Sequence, residues 1–474
     1  MRVAGELARR IGVKYAVFAG EYGEQARRLH EEIKKPMRLV YLSPVGVLGG
    51  AERCLLQVMA AMHRQEPDSR IALVAGSPGE LLERAQAAGI EVCLLPMPAE
   101  MAQFGENVLH RKHGPLSLAR LGMRGLSVLP AVRRYCVTLA RTVRNLQGDL
   151  IHSNGLKMHL LAAIANLPAH KTVWHLHDFL GARPAMGRAL RWASRRAAGA
   201  IAISQAIARD AHTVLPRLRL QVVYNAIDVD HFRPTVVDPS LLDTLAGMAP
   251  PPAGTLRVGL IATFARWKGQ DLLLQAAARL LAQKPDRPVR FYIIGGPIYQ
   301  TDGSQFSLRE LREMAVRLGV AQHTGFVEFQ SDPRDAFCAL DIVVHASTSP
   351  EPFGLTIAEA MACGRPVIVA QAGGAAELFV SGVDAVGVTP GDAEALARAI
   401  GELAGDPGRR AALGTSARAS AAQRFCHQRL GPHWAEVYRR FLSAEAPRNN
   451  GVVEARLASG TAQWEKINPF PTCD

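Results

Sequence analysis

Two successive series of short apolar strands, each alternating with helical stretches, constrain this chain more than any single motif. In the first, strands are predicted at Leu39–Leu42, Ile71–Ala75, Val92–Leu95, Leu150–His152, Thr172–Leu176, Ala200–Ile203 and Val222–Tyr224. In the second they are predicted at Val258–Ala262, Val289–Ile294, Ile342–His345 and Val367–Ala370. Helical periodicity fills most of the gaps. Leu55, Val58, Met59 and Met62 share one face of a helix over Ala51–His63, and Asp271–Leu281 and Ser307–Leu318 read the same way. Strands so short and apolar, joined through helices, make parallel sheets covered on both faces. Between the series, Asp238-Pro239, Pro250-Pro251-Pro252 and Gly254 mark a linker.

The expected fold class is therefore α/β, with two Rossmann-like domains. Residues 1–36 read as an N-terminal extension, 37–235 as the first domain, 236–255 as the linker and 256–425 as the second domain. Over 426–445 a helix is expected to pack back, because Trp434, Val437, Tyr438, Phe441 and Leu442 lie on one face. Residues 446–474 lose periodicity and read as a loose tail.

At 474 residues the chain is too long for one ordinary core. With 48% apolar and 20% charged residues, wholesale disorder is excluded. There is no uncharged apolar run of about 18 residues, so no membrane-spanning helix is expected. Glu6, Arg9 and Arg10 break up any signal-peptide core. Seven scattered cysteines without a CxxC pair fit a reducing, cytoplasmic setting rather than a disulfide scaffold or a zinc site.

The net charge of +13 is unevenly placed. Residues 37–235 carry 24 basic and 13 acidic side chains, whereas residues 236–474 carry 23 and 24. The stretch 107–148 holds Arg111, Lys112, Arg120, Arg124, Arg133, Arg134, Arg141 and Arg144 with no acid, interleaved with leucines. That pattern fits an anionic membrane surface or a phosphate-bearing ligand. A nucleic-acid partner is disfavoured, because aromatics barely interleave and no recognition motif is present.

Four motifs stand where such sheets bind ligands, at the C-terminal ends of strands. The first is Glu351-Pro-Phe353-Gly354-Leu355-Thr-Ile-Ala-Glu359, where Gly354 admits a ligand close to a helix opening. A carboxylate there is a natural acceptor for two vicinal hydroxyls. The second is Arg266-Trp267-Lys268-Gly269, whose cations suit a diphosphate. The third is Leu48-Gly49-Gly50-Ala51-Glu52-Arg53, a glycine turn. The fourth is Trp174-His175-Leu176-His177-Asp178, which points both histidines to one face and offers Asp178 to orient an imidazole. Taken singly, each reads as readily as a turn, a solvated charge pair or a structural histidine.

Together they resemble retaining GT-B glycosyltransferases of family 4, the "glycosyl transferases group 1" kind, over roughly residues 37–445. Glu351 and Glu359 match that family's E-x7-E motif. The resemblance implies two facing domains, a nucleotide-diphosphate sugar as co-substrate, and a lipid-linked or saccharide acceptor. It implies that Arg266 and Lys268 hold the diphosphate as leaving group. It further implies that Gly49, Gly50, Phe353, Gly354, Leu355 and Glu359 bind donor, and that His177 contacts the transferred sugar with His175 as the other candidate. His177, Glu351, Arg266 and Lys268 are thus the expected catalytic residues.

No cofactor and no essential metal is expected. Asp228-Val-Asp230 mimics a metal–diphosphate signature of another fold, but it sits in an Asn225-Ala-Ile-Asp228 turn that resembles the family's own. The expected function is sugar transfer with retention in polysaccharide or glycolipid assembly. A nucleotide-sugar 2-epimerase or a non-catalytic sugar-nucleotide-binding relative is the alternative.

Overall fold

The computed structural model describes residues 35–103, 115–283, 288–297 and 303–443. Nearly all of the expected extension over 1–36, and the whole tail over 446–474, fall outside the described residues.

The two apolar series fold into two parallel sheets. The first contains β1 (Arg38–Ser43), β2 (Arg70–Ala75), β3 (Glu91–Leu94), β4 (Leu150–Asn154), β5 (Thr172–Leu176), β6 (Gly199–Ala202) and β7 (Leu220–Val222). Their spatial order is β3-β2-β1-β4-β5-β6-β7. The second contains β8 (Leu256–Ile261), β9 (Val289–Ile294), β10 (Thr324–Val327), β11 (Ile342–His345), β12 (Val367–Ala370) and β13 (Val386–Val388), in the order β10-β9-β8-β11-β12-β13. Each order reverses beside its first strand, between β1 and β4 and between β8 and β11. Those two switch points open the crevices that receive ligands in open α/β sheets.

The central strands are buried on both faces. Every residue of β4, β5, β11 and β12 is buried, as the apolar runs of β11 and β12 require; in β4 and β5 the burial extends to His152, Ser153, Asn154 and His175. Two edge strands had no sequence signal. β10 (Thr-Gly-Phe-Val) and β13 (Val-Gly-Val) are short and carry a glycine each. β7 ends at Val222 rather than running over Val222–Tyr224. Val223 still donates to the Ala202 carbonyl at 3.0 Å, but Tyr224 turns away and its hydroxyl donates to Glu377.

The region read as a linker is partly folded. It contains the short helix Leu241–Leu245, in which Asp243 is only 2% exposed. The Asp243 carboxylate accepts from the Tyr292 hydroxyl at 2.5 Å, from Arg257 at 3.1 Å and from Arg290. A buried charge is tolerated when it is paired in this way, and the pairing pins the connection to β8 and β9.

The chain crosses back beside its first crossing. The Ile227 amide donates to the Phe425 carbonyl at 2.8 Å, and the His427 amide to the Ile227 carbonyl at 3.0 Å. The helix Leu430–Leu442 then packs on the first domain against Gly50–Gln65. Trp434, Val437, Tyr438 and Phe441 are buried as their spacing predicts, while Leu442 is partly exposed. The Tyr438 hydroxyl bonds His152 Nδ1 at 2.7 Å and the Tyr41 hydroxyl at 3.1 Å, and Arg439 pairs with Glu66.

Candidate active site

On the second-domain side, β8 leads into a single 3-10 turn, Arg266–Lys268, closed by Gly269. Gly269 has φ +78°, and a Cβ there would lie 2.0 Å from the Ala346 carbonyl oxygen, so only glycine lets the turn press against the end of β11. The contact delivers Lys268 to Glu351, Nζ to Oε2, at 2.7 Å. The same carboxylate oxygen meets His345 Nε2 at 3.2 Å and the Ser347 hydroxyl at 3.1 Å. Burial alone would raise the Glu351 carboxyl. The Lys268 ammonium and the His345 bond prevail and hold it well below the usual carboxylate range. Glu351 is thus an ionised anion whose Oε2 is held by three groups, and Lys268 a cation fixed in place. Sequence reasoning missed His345 and Ser347. Their only signal was a polar residue ending the apolar run Ile-Val-Val-His.

Gly354, at φ +106°, opens the helix Leu355–Ala362. Glu359, in its second turn, is half-buried, and no hydrogen bond or ion pair reaches its carboxyl among the described residues. Burial pushes its carboxyl up to about 7, opposed by the positive charge of Arg53 from the other domain. Phe353 departs from the donor-contact expectation in its side chain. The ring is 2% exposed and packs on Tyr224 and Phe425, leaving only its backbone for a ligand. Leu355 is the half-buried first residue of the helix.

Arg266 is not brought to Glu351. Its guanidinium donates to Glu310 at 2.6 Å and to the Gly303 carbonyl at 3.1 Å, and lies 4.4 Å over the Phe306 ring. Both ends of the Arg266–Glu310 pair are about two-fifths exposed, so water screens it and little holds it against a competing anion.

On the first-domain side, Gly49 and Gly50 open the helix Gly50–Gln65. Gly50 is exposed, and nothing lies within 4 Å of where a Cβ would stand. Glu52 folds back over Gly49, and burial pushes its carboxyl up to about 6.

His177 leaves the end of β5, and its Nε2 lies 2.7 Å from Asn154 Oδ1 at the end of β4. The oriented partner is therefore Asn154, not the expected Asp178. With Oδ1 as acceptor, Nε2 carries the proton and Nδ1 keeps a lone pair. Burial lowers His177 to about 3, so the ring is neutral at physiological pH. His175 is completely buried, its ring 4.0 Å from that of His177 and 5.0 Å from that of Trp434, which places it behind the site.

Asp228 Oδ1 accepts the amides of Asp230 at 3.0 Å and His231 at 2.9 Å, closing a turn. Ligand atoms of Asp228, Asp230 and His427 lie within 4.8 Å of one another, with both carboxylates exposed. Half of the Asp228 acceptor capacity is spent on the turn.

Two Rossmann-like domains with these motifs at the C-terminal edges of both sheets define the GT-B fold. Residues 48–231 match the family model described as Glycosyltransferase Family 4, and residues 250–420 match the one described as Glycosyl transferases group 1. Between them these matches take in both domains, and the chain belongs to glycosyltransferase family 4.

It is 36% identical over 232 residues to D-inositol 3-phosphate glycosyltransferase 2 of Catenulispora acidiphila, covering 47% of this chain and 51% of that one. It is 29% identical over 230 residues to the GDP-mannose-dependent alpha-(1-6)-phosphatidylinositol monomannoside mannosyltransferase of Mycolicibacterium smegmatis, covering 47% and 56%. The chain spans about half the length of the curated relatives it matches. Among solved structures, Anabaena HepE in complex with UDP-glucose aligns with a TM-score of 0.66 and 29% identity, over 85% of this chain and 99% of that one.

Proposed function

We propose that this chain transfers a sugar from a nucleoside-diphosphate sugar to an acceptor hydroxyl, with retention of configuration. The observation that carries the reading is the contrast between its two motif glutamates. Glu351 is locked to Lys268, whereas Glu359 stands one helix turn inside the Gly354 opening with no protein partner. A free carboxylate accepts from ribose hydroxyls, while the amides at the Gly354 helix opening receive phosphate. The UDP-glucose complex of a 29% identical neighbour supports the same ligand class.

In the reaction, charge grows on the leaving diphosphate. Lys268, the amides opening at Gly354 and at Gly50, and Arg266 once released from Glu310 are the groups that meet it; the Gly49 amide is taken by the Val47 carbonyl. Neutral His177, with its Nδ1 lone pair, accepts from a hydroxyl of the transferred sugar. Glu351 is spent on Lys268 and His345, which disfavours it as a covalent nucleophile. A front-face path, with the leaving phosphate taking the acceptor proton, fits these roles. Lys268, with Arg266 once released, would serve at the phosphates in place of a metal, so no essential metal is expected.

The acceptor is proposed to be a saccharide or lipid-linked group. Two curated relatives are named for phosphorylated or lipid-bearing inositols, and the first domain is strongly basic. A donor-hydrolysis screen over UDP and GDP sugars, with and without EDTA, tests the reading. Release of nucleoside diphosphate from one donor, unaffected by EDTA, is expected. No turnover of any donor would overturn the transfer reading. Loss with EDTA and recovery with a divalent metal would return Asp228 and Asp230 to the mechanism.

A further inference from the structure

Glu377, inside the domain junction, has no part in the chemistry proposed above, yet it is 8% exposed and fully bonded. It ends the 3-10 turn Gly374–Glu377 of the second domain. Its Oε2 accepts from the Gln205 amide at 2.9 Å and the Tyr224 hydroxyl at 2.8 Å, and its Oε1 accepts from the Ala206 amide at 2.7 Å. Those amides begin the helix Gln205–Val214 of the first domain. The Ser204 hydroxyl accepts only from the Ile207 amide, at 3.1 Å. The first two amides of the helix are left to Glu377, so its first-domain end is completed by a carboxylate from the second domain.

The connections continue to both sides of the cleft. The Ser204 hydroxyl donates to the Pro352 carbonyl at 2.8 Å, and the Gly374 amide donates to the Glu351 carbonyl at 2.7 Å. The Glu351 loop is thus fastened to the start of the Gln205–Val214 helix by two routes. Farther along the same helix, the Asp210 carboxylate accepts from the amides of Leu180 and Gly181, which lie in the loop that leaves His177.

We infer that Glu377 is a positioning residue which, through the Gln205–Val214 helix and Asp210, sets the His177 loop of one domain against the Glu351 loop of the other. A length of little more than about one turn of hydrogen-bonded helix, from Gln205 and Ala206 to Asp210, transmits a shift at its start with little loss. Two oxygens on two successive amides fix direction as well as distance. The effect on rate rests on the proposed sugar transfer; the mechanical link does not.

The test uses the full chain as Glu377→Gln and, separately, Asp210→Asn. Amide hydrogen exchange is read without ligand, and kcat and donor KM are read with the donor found in the hydrolysis screen. Glutamine offers one acceptor oxygen where glutamate offers two. Glu377→Gln is expected to speed exchange at Gln205 and Ala206 and also at Leu180 and Gly181. Asp210→Asn should speed it at Leu180 and Gly181 alone. Both should lower kcat by about 10- to 100-fold, the scale set by misplacing a reacting group by an ångström, while donor KM moves by less than about three-fold.

Exchange changes confined to Gln205 and Ala206, or unchanged kcat in Asp210→Asn, would overturn the inference. If Glu377→Gln does not fold, Asp210→Asn decides by the same readouts. If the wild type turns over no nucleotide sugar, the transfer reading fails, and the exchange pattern still decides the link.

Discussion

Lys268 and Glu351 show how a site residue is also a stability residue. The pair is mostly buried, with the Lys268 side chain 19% and the Glu351 side chain 9% exposed. Removing one partner of such a pair strands the other charge, at a cost on the order of 3 kcal/mol. Lys268→Ala is expected to lower unfolding free energy by about that much, and to lower kcat more than it raises KM. Adding Glu351→Gln should restore part of the stability by removing the stranded charge. Urea titration of the three proteins checks this, and an unaltered midpoint in Lys268→Ala would contradict it.

Glu359 gives a pH signature. Its carboxyl is raised by burial to about 7, so the free protein binds a proton there that the unfolded chain releases near 4.5. Ionising it therefore costs the free protein stability as pH rises between those values. Donor hydroxyls need the ionised form as acceptor. Donor affinity should rise with pH towards 7 and flatten above it, and Glu359→Gln should bind more weakly and without that slope. Calorimetric titration on either side of pH 7 reads the difference, and parallel slopes would contradict the assignment. The motif residues themselves were legible from spacing. Their partners were not, because His345 and Asn154 reach Glu351 and His177 only when β11 and β4 end beside the neighbouring loops.

At the scale of elements, legibility followed apolar content. Runs such as Val-Val-His and Val-Ile-Val declared central strands, whereas glycine-bearing edge strands β10 and β13 lacked a pattern. The periodicity of Trp434, Val437, Tyr438 and Phe441 foretold a buried helix face. It could not say that the face would close over His152 and back His175 of β5.

The helix Pro115–Leu146 matters for the membrane proposal. Its Tyr135, Cys136, Leu139 and Val143 are buried, while Arg133, Arg134, Arg141 and Arg144 are exposed. Leu129 and Val137 are 55% and 44% exposed beside a groove of about 370 Å³. Arg111 and Lys112, and the side chains of Arg120 and Arg124, fall outside the described residues. We propose that this face meets an anionic bilayer, each basic group near the surface contributing about 1 kcal/mol. Co-sedimentation should show binding to anionic vesicles, little to neutral ones, and loss at high salt as charges are screened. Glutamine at positions 133, 134, 141 and 144 should weaken it and spare donor hydrolysis. Equal binding to both vesicle types would contradict the proposal. Among the described residues no helix is long and apolar enough to cross a membrane.

The whole molecule is two sheets held across a cleft by shared chain. The Ile227 and Cys426 crossings, the returning helix and the Glu377 junction tie the halves, and one buried core runs from Trp174 and Ile207 to Phe353 and Phe425. Two-domain α/β architecture was readable from alternation and the proline-rich break. The cross-domain bonds were not, because they join residues more than 140 positions apart through single atoms. What the molecule is proposed to do rests most directly on Glu359 as the donor's ribose acceptor. Loss of a charged hydrogen-bond partner costs about 1.5–3 kcal/mol, roughly one to two orders of magnitude in affinity. Titrating wild type and Glu359→Ala with the accepted nucleotide sugar measures it. The account predicts a Kd weakened by that factor in a variant that still folds and melts no lower than the wild type at neutral pH; equal affinity in the two proteins would contradict it.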